Sequence, residues 1–153
     1  MELRGIEDPD RSWLREVVAS EWGLPVVSVS GAYDPSTLPG FVAEDTGRQL
    51  GVVTYHLSEG ECEVVTLNSL QEGCGVGTAL LAAVKRLADL QLRRLWLITT
   101  NENINAIGFY QRRGMDMRAL HRDFVEEVRL HKPGLDDHPA GLIPFRHAIE
   151  FSY

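Results

Sequence analysis

Three glycines at alternate positions, Gly73, Gly75 and Gly77, lie in the run Leu67-Asn-Ser-Leu-Gln-Glu-Gly-Cys-Gly-Val-Gly-Thr-Ala-Leu-Leu81, between an apolar segment and an amphipathic one. Residues without a Cβ let main-chain amides close on an anion, and the head of a helix adds unpaired N–H groups and the positive end of its dipole. The chemistry expected of residues 73–78 is therefore phosphate binding by backbone amides. Two familiar loops of this kind do not fit. A Walker A loop needs Gly-Lys-Ser/Thr, and Gly77 is followed by Thr78 and Ala79. The dinucleotide pattern Gly-x-Gly-x-x-Gly ends on Thr78 if begun at Gly73 and on Leu80 if begun at Gly75. A glycine-rich turn with no ligand remains as the alternative. A pair of carboxylates, Glu61 and Glu63, precedes the loop, spaced so that strict strand alternation puts both on one face with Val65 and Leu67. A carboxylate among apolar neighbours has its pKa raised toward the range useful for taking a proton, whereas an exposed hairpin position would leave these groups in solvent.

These groups need elements to hold them. Residues 62–67 are rich in β-branched side chains and follow the turn Ser58-Glu-Gly-Glu61, so they read as a strand. Val76, Ala79, Leu80, Ala83, Val84 and Leu87 keep the spacing of a helix with one buried face. Residues 94–100 read as a second buried strand. The segment Asn101-Glu-Asn-Ile-Asn-Ala-Ile-Gly-Phe-Tyr-Gln-Arg-Arg-Gly114 then offers asparagines for an N-cap, Arg112 and Arg113 for the negative end of a helix dipole, and Gly114 for the C′ position. Upstream, Asp8-Pro9 suits the start of a first helix over 9–22. Residues 31–40 read as a loop, and 41–44, 50–56 and 62–67 as a meander with turns at 45–48 and 58–61. Downstream come a strand over 116–121, a short helix over 124–130, turn chemistry over 132–141, and a last strand over 145–151. A strand–loop–helix–strand order demands a crossover, so the strands at 62–67 and 94–100 are expected to be parallel and to diverge where the glycine loop begins.

Together the two segments resemble the Gcn5-related N-acetyltransferase (GNAT) family over roughly residues 41–120. Its pyrophosphate loop, Arg/Gln-x-x-Gly-x-Gly/Ala, is matched from Glu72 through Gly75 and Gly77, and Asn-x-x-Ala-x-x-Phe-Tyr-x-x-x-Gly by Asn103, Ala106, Phe109, Tyr110 and Gly114. The resemblance implies an α/β (α+β) fold: a mixed, mostly antiparallel sheet flanked by helices with a splayed parallel strand pair, forming a single acetyltransferase domain over 1–153. It implies transfer of an acetyl group from acetyl-CoA to an amine. The donor would be held by Leu67, Glu72, Gly73, Cys74, Gly75, Val76, Gly77, Thr78, Asn103, Ala106, Phe109 and Tyr110. At Leu67 the contact is the backbone N–H that polarises the thioester carbonyl. Tyr110 takes the family position whose hydroxyl lies near the donor sulfur, where a phenol can supply a proton to the departing thiolate. The base is expected at Glu63 or Glu61, or through a water chain leading to one. Glu72 departs from the family pattern; a carboxylate repels pyrophosphate, so its side chain is expected to face solvent while the loop binds through amides. Two readings of other classes stand beside this one: an acyl-CoA-sensing module without catalysis, and a nucleotide-binding or structural domain whose glycine loop only turns.

Composition narrows the setting. The chain of 153 residues is 44% hydrophobic and 24% charged, ordinary usage for about one globular domain. A formal net charge of −7 argues against a general nucleic-acid binder. No run approaches the roughly 18 apolar residues of a membrane span and the first residues lack an apolar signal core, so a cytoplasmic enzyme is the expectation. Cys62 and Cys74 do not make a disulfide framework, and no His or Cys spacing suggests a metal. The partner expected is an amine, small or on a peptide or protein, with room for a homodimer.

Overall fold

The computed structural model describes residues 1–138 and 141–153. Seven strands form one mixed sheet in the order β1 (Glu2–Gly5), β4 (Gly40–Asp45), β5 (Arg48–Ser58), β6 (Glu61–Ser69), β7 (Arg94–Thr100), β9 (Ala148–Ser152) and β8 (Asp116–His121). It is mostly antiparallel, with one parallel pair. The chain divides into two compact units, Met1–Val26 with Ala32–Leu95, and Val27–Gly31 with Trp96–Tyr153.

The first unit is a meander roofed by two helices. After β1 (Glu2–Gly5), a 3-10 turn at Asp8–Asp10 leads into α1 (Arg11–Trp22). The turn is fixed by Asp10, whose carboxylate accepts from the Glu7 amide at 2.8 Å and from both Arg4 Nη atoms at 2.7 and 2.8 Å. β4 (Gly40–Asp45), β5 (Arg48–Ser58) and β6 (Glu61–Ser69) follow as antiparallel neighbours, then α2 (Val76–Leu90) and the start of β7 (Arg94–Thr100). The Arg94 amide donates to the Gly60 carbonyl at 2.8 Å.

One face of this meander carries Val42 and Val52 against Leu14 and Val18 of α1, all four wholly buried. The other face receives α2. Gly51 makes that approach possible, since a Cβ there would stand 2.7 Å from Val76 Cγ1 and 3.2 Å from Leu80 Cδ1.

The residues expected as a loop over 31–40 instead contain β3 (Gly31–Tyr33) and a 3-10 turn at Pro35–Thr37. Asp34 caps that turn by accepting from the Ser36 amide at 3.0 Å, an Asx arrangement that gives a Pro-containing stretch local order. β1 and the three-residue β2 (Val26–Ser28) are too short for alternation to reveal.

In the second unit, α3 (Ile104–Arg112), β8 (Asp116–His121), α4 (Phe124–His131) and β9 (Ala148–Ser152) follow the rest of β7. β9 pairs antiparallel with both β7 and β8. Phe124, Val128 and Ala148 are buried with Ile98 and Leu135 beside them, and Phe151 packs against Tyr110 at 5.8 Å between ring centroids. The last strand begins three residues later than its composition suggests. Asn101 explains why: its Oδ1 accepts from the Arg146 and His147 amides at 3.0 and 2.8 Å and its Nδ2 donates to the Pro144 carbonyl at 2.9 Å, so this segment is bound by a side chain before ladder pairing starts at Ala148. The expected turn over 132–141 includes Pro139 and Ala140, which lie outside the described residues.

Candidate active site

The glycine loop keeps the form its sequence implies. Gly73 and Gly75 have φ of +75° and +76°, a left-handed conformation that side chains adopt only with strain, and Gly75 is the N-cap of α2. A Cβ at either position would meet no heavy atom within 4 Å, so the loop borders open space. Gly77 is the second residue of α2 and half-buried; Val76 is buried and anchors the helix start, while Glu72, Cys74 and Thr78 are exposed. The loop therefore offers glycine backbone and the first amides of a fifteen-residue helix, with no side chain required to bind an anion. Glu72 lies in solvent.

The β6 carboxylates are arranged differently from a regular strand. In the β5–β6 register Tyr55 faces Val64 and Thr54 faces Thr66, so Val65 is the extra residue of a β-bulge. Side-chain alternation resets there. Glu61 and Glu63 share their face with Thr66 and Asn68, opposite Ser58, His56, Thr54 and Val52, and Leu67 falls on the α2 side with Val53. The expectation that Glu61, Glu63, Val65 and Leu67 line one face is thus overturned by one inserted residue. Asn68 confirms which face this is, donating from Nδ2 to Glu21 Oε2 of α1 at 2.7 Å. Beneath α1 the sheet carries buried polar groups: Thr54 and Thr66 joined by a 2.6 Å hydroxyl bond, Asn68, and Glu63 at 2% exposure.

Glu61 and Glu63 differ in setting. Glu61 is bound by Arg94 at 3.0 Å, an ion pair at the end of the strand. Glu63 is buried, and its charge, with burial as the larger cause, helps push the neighbouring Cys62 thiol up to about 11, which keeps that cysteine protonated and inert. Cys74, by contrast, is an exposed free thiol.

In the second unit Asn103 caps α3, its side chain accepting from the Ala106 amide at 3.2 Å, and Gly114 takes φ +91° beyond the helix. Phe109 is half-buried with the Arg113 guanidinium 3.8 Å over its ring. Tyr110 meets Phe109 edge-on at 5.3 Å and is 9% exposed, and burial pushes its phenol well above the usual 10. A phenol that weak as an acid stays protonated at any working pH. It donates a hydrogen bond readily, and full transfer of its proton to a thiolate, whose thiol has a pKa of about 8.5, runs uphill.

Sequence reasoning passed over Glu102, which is buried after β7 and accepts from the Thr100 hydroxyl at 2.8 Å. Its position between two asparagines was the signal available. It also passed over Asn68 and the Thr54–Thr66 pair, because a bulge is invisible to alternation.

The GNAT acetyltransferase family model matches residues 7–115, which span both the glycine loop and the Asn103–Tyr110 motif. The uncharacterized protein YdhI of Bacillus subtilis is 38% identical over 91% of this chain and 89% of its own length. Among solved structures, an IAA acetyltransferase from Bacillus cereus matches with a TM-score of 0.74 at 17% identity, covering 99% of this chain and 97% of that one. Arabidopsis thaliana Naa50 in complex with the bisubstrate analogue CoA-Ac-MVNAL matches with a TM-score of 0.71 at 18% identity, covering 99% and 97%. With a family model over most of its length and a close relative in sequence, this chain belongs to the GNAT acetyltransferase family.

Proposed function

We propose that the chain acts as one acetyltransferase domain over 1–153, moving the acetyl group of acetyl-CoA to an amine. The observation that carries this is the pair of left-handed glycines at the head of α2 with open space outside them, in a chain of this family. The fit to a pyrophosphate is good: the loop supplies glycine backbone and helix amides, and the one carboxylate in it, Glu72, is exposed and unneeded. Residues 73–78 would hold the pyrophosphate, with Leu67, Asn103, Ala106, Phe109 and Tyr110 completing the donor site as the family motifs imply.

When bound, acetyl-CoA supplies a thioester carbonyl to which an amine nitrogen can add, with coenzyme A leaving as the thiolate. The residues then divide the work. Glu63, buried on the α1 face, takes the proton the amine gives up; Glu61, already committed to Arg94, is the lesser candidate. The Leu67 amide donates to the carbonyl oxygen. Tyr110 donates a hydrogen bond toward the leaving sulfur, a role its raised pKa suits better than outright proton transfer. A cytoplasmic setting, an amine on a small molecule or a protein, and a homodimer complete the proposal. Among the described residues no helix is long and apolar enough to cross a membrane, and no cluster of three His, Cys, Asp or Glu could hold a metal.

The test is a thermal shift with acetyl-CoA, coenzyme A and ATP, followed by thiol release across an amine panel. Acetyl-CoA should raise Tm where ATP does not, and at least one amine should release thiol. Equal shifts with ATP would move the loop to a nucleotide-binding role. A shift without turnover on any amine would favour a sensing module.

A further inference from the structure

We propose that Glu102 is the anionic anchor for the acceptor's ammonium group, an inference that rests on the amine-acetylation reading above. The run Thr100-Asn101-Glu102-Asn103 places four polar side chains from the last residue of β7 to the N-cap of α3. Three of them are spent on the chain itself. Thr100 donates to Glu102 Oε1 at 2.8 Å, Asn101 holds the Pro144–His147 stretch through three hydrogen bonds, and Asn103 caps α3. Glu102 is 9% exposed, and its Oε2 is fully buried with no hydrogen-bond partner among the described residues.

A carboxylate buried with one oxygen unsatisfied is unfavourable, and such a group is retained where something completes it. What completes it must be a donor, because an ionised carboxylate only accepts, and a cation is the donor that best offsets the buried charge. Acetyl-CoA is itself an anion. The amine is the cationic reactant of the proposed reaction, in its protonated form before it is activated. The anchor is also held ready: the Asn103 amide donates to the Thr100 carbonyl at 3.1 Å and the Ile104 amide to the Glu102 carbonyl at 2.9 Å, so the backbone on either side of the carboxylate is fixed before a ligand arrives.

Glu102→Gln tests this with the shape kept and the Thr100 hydroxyl still served by an amide oxygen. Without ligand, the variant should melt at or above the wild-type temperature, because an uncompensated buried charge has been removed. Butylammonium, used as a minimal probe with acetyl-CoA present, should shift the wild-type Tm and leave the variant unmoved. On an amine that turns over, acceptor KM should rise about ten- to a hundredfold, the range of a lost charge-assisted hydrogen bond, with kcat and the acetyl-CoA KM within about twofold. A lower Tm with unchanged acceptor KM would make Glu102 a structural group and overturn the proposal. So would a fall in kcat at constant KM, which would make it the base. If acetyl-CoA binds but no amine turns over, the acetylation reading fails on its own, and the butylammonium shift alone decides for or against Glu102.

Discussion

Gly75→Ala separates a phosphate cradle from a tight turn with numbers taken from the loop itself. Gly75 has φ +76°, where an L-residue costs roughly 1–2 kcal/mol. For a domain of this size each kcal/mol is worth about 2–4 °C, so Tm should fall by about 2–8 °C. No packing penalty is added, because the new methyl group meets no protein atom within 4 Å. Its steric effect is confined to whatever occupies that space. If a pyrophosphate sits there, displacing one charge-assisted amide bond of about 1.5–3 kcal/mol should weaken acetyl-CoA binding about 10- to 150-fold. Gly47→Ala is the matched control. Gly47 turns the β4–β5 hairpin at φ +80° with equally open surroundings, so it should show a similar loss of Tm and unchanged acetyl-CoA affinity. Calorimetric melts and isothermal titration with acetyl-CoA read both quantities. A Gly75→Ala protein that melts lower yet binds acetyl-CoA like wild type would refute the cradle and leave a turn.

Tyr110→Phe should lower turnover about 100-fold, the low end for general acid catalysis because the buried phenol donates a bond more readily than a proton, with donor affinity little changed. Wild-type turnover in a folded variant would return Tyr110 to core packing. The same substitution should help at alkaline pH. A folded pKa above the unfolded value of about 10 gives stability that is present below pH 10 and lost as pH rises beyond it, and phenylalanine has no proton to lose; alkaline melts in which wild type and variant decline together would contradict this. Asp10 works in the opposite direction. Arg4 holds its carboxyl at about 2, so its contribution of about 1–2 kcal/mol, discounted because Arg4 is partly exposed, is complete above the unfolded pKa of about 4 and lost as pH falls through 2. Urea melts should show Asp10→Asn less stable at neutral pH, with the gap narrowing through pH 3; a gap that stays constant would refute the assignment.

Much of this was legible in the chain because the informative residues act locally. A left-handed glycine, a capping asparagine and a helix stripe are set by neighbours a few positions away, so Gly75, Asn103 and the Val76–Leu90 helix could be placed from their spacing. The parallel pair followed from connectivity. Short elements escaped because three or four residues carry too little pattern, as at β2 and β3. The late start of β9 escaped for another reason: Asn101 controls it from more than forty residues away, and no local signal at Phe145 or His147 announces that.

The bulge at Val65 shows how such a distant cause reaches the chemistry. Period-two alternation through β6 would put Glu63 on the α2 side with Leu67, in the helix-facing core. One extra residue sends Glu63, Thr66 and Asn68 together to the α1 face and returns the Leu67 side chain to the other. The polar stripe this creates is unfavourable in a core, and hydrogen bonds across strands and helices offset part of that cost, Thr54 with Thr66 and Asn68 Nδ2 with Glu21, while Asn68 Oδ1 has no partner among the described residues. Bulges are enriched beside active sites because they re-aim a side chain at little expense to the rest of the ladder. Deleting Val65 would remove the extra residue and leave Tyr55 against Val64 and Thr54 against Thr66 in a regular ladder, so that Glu63, Thr66 and Asn68 keep the α1 face and Leu67 the other. The reading therefore requires that this deletion cost the fold far less than deletion of the paired residue Leu67, which would bring Asn68 to the α2 side, and equal melting temperatures would mean that Val65 is not the inserted residue.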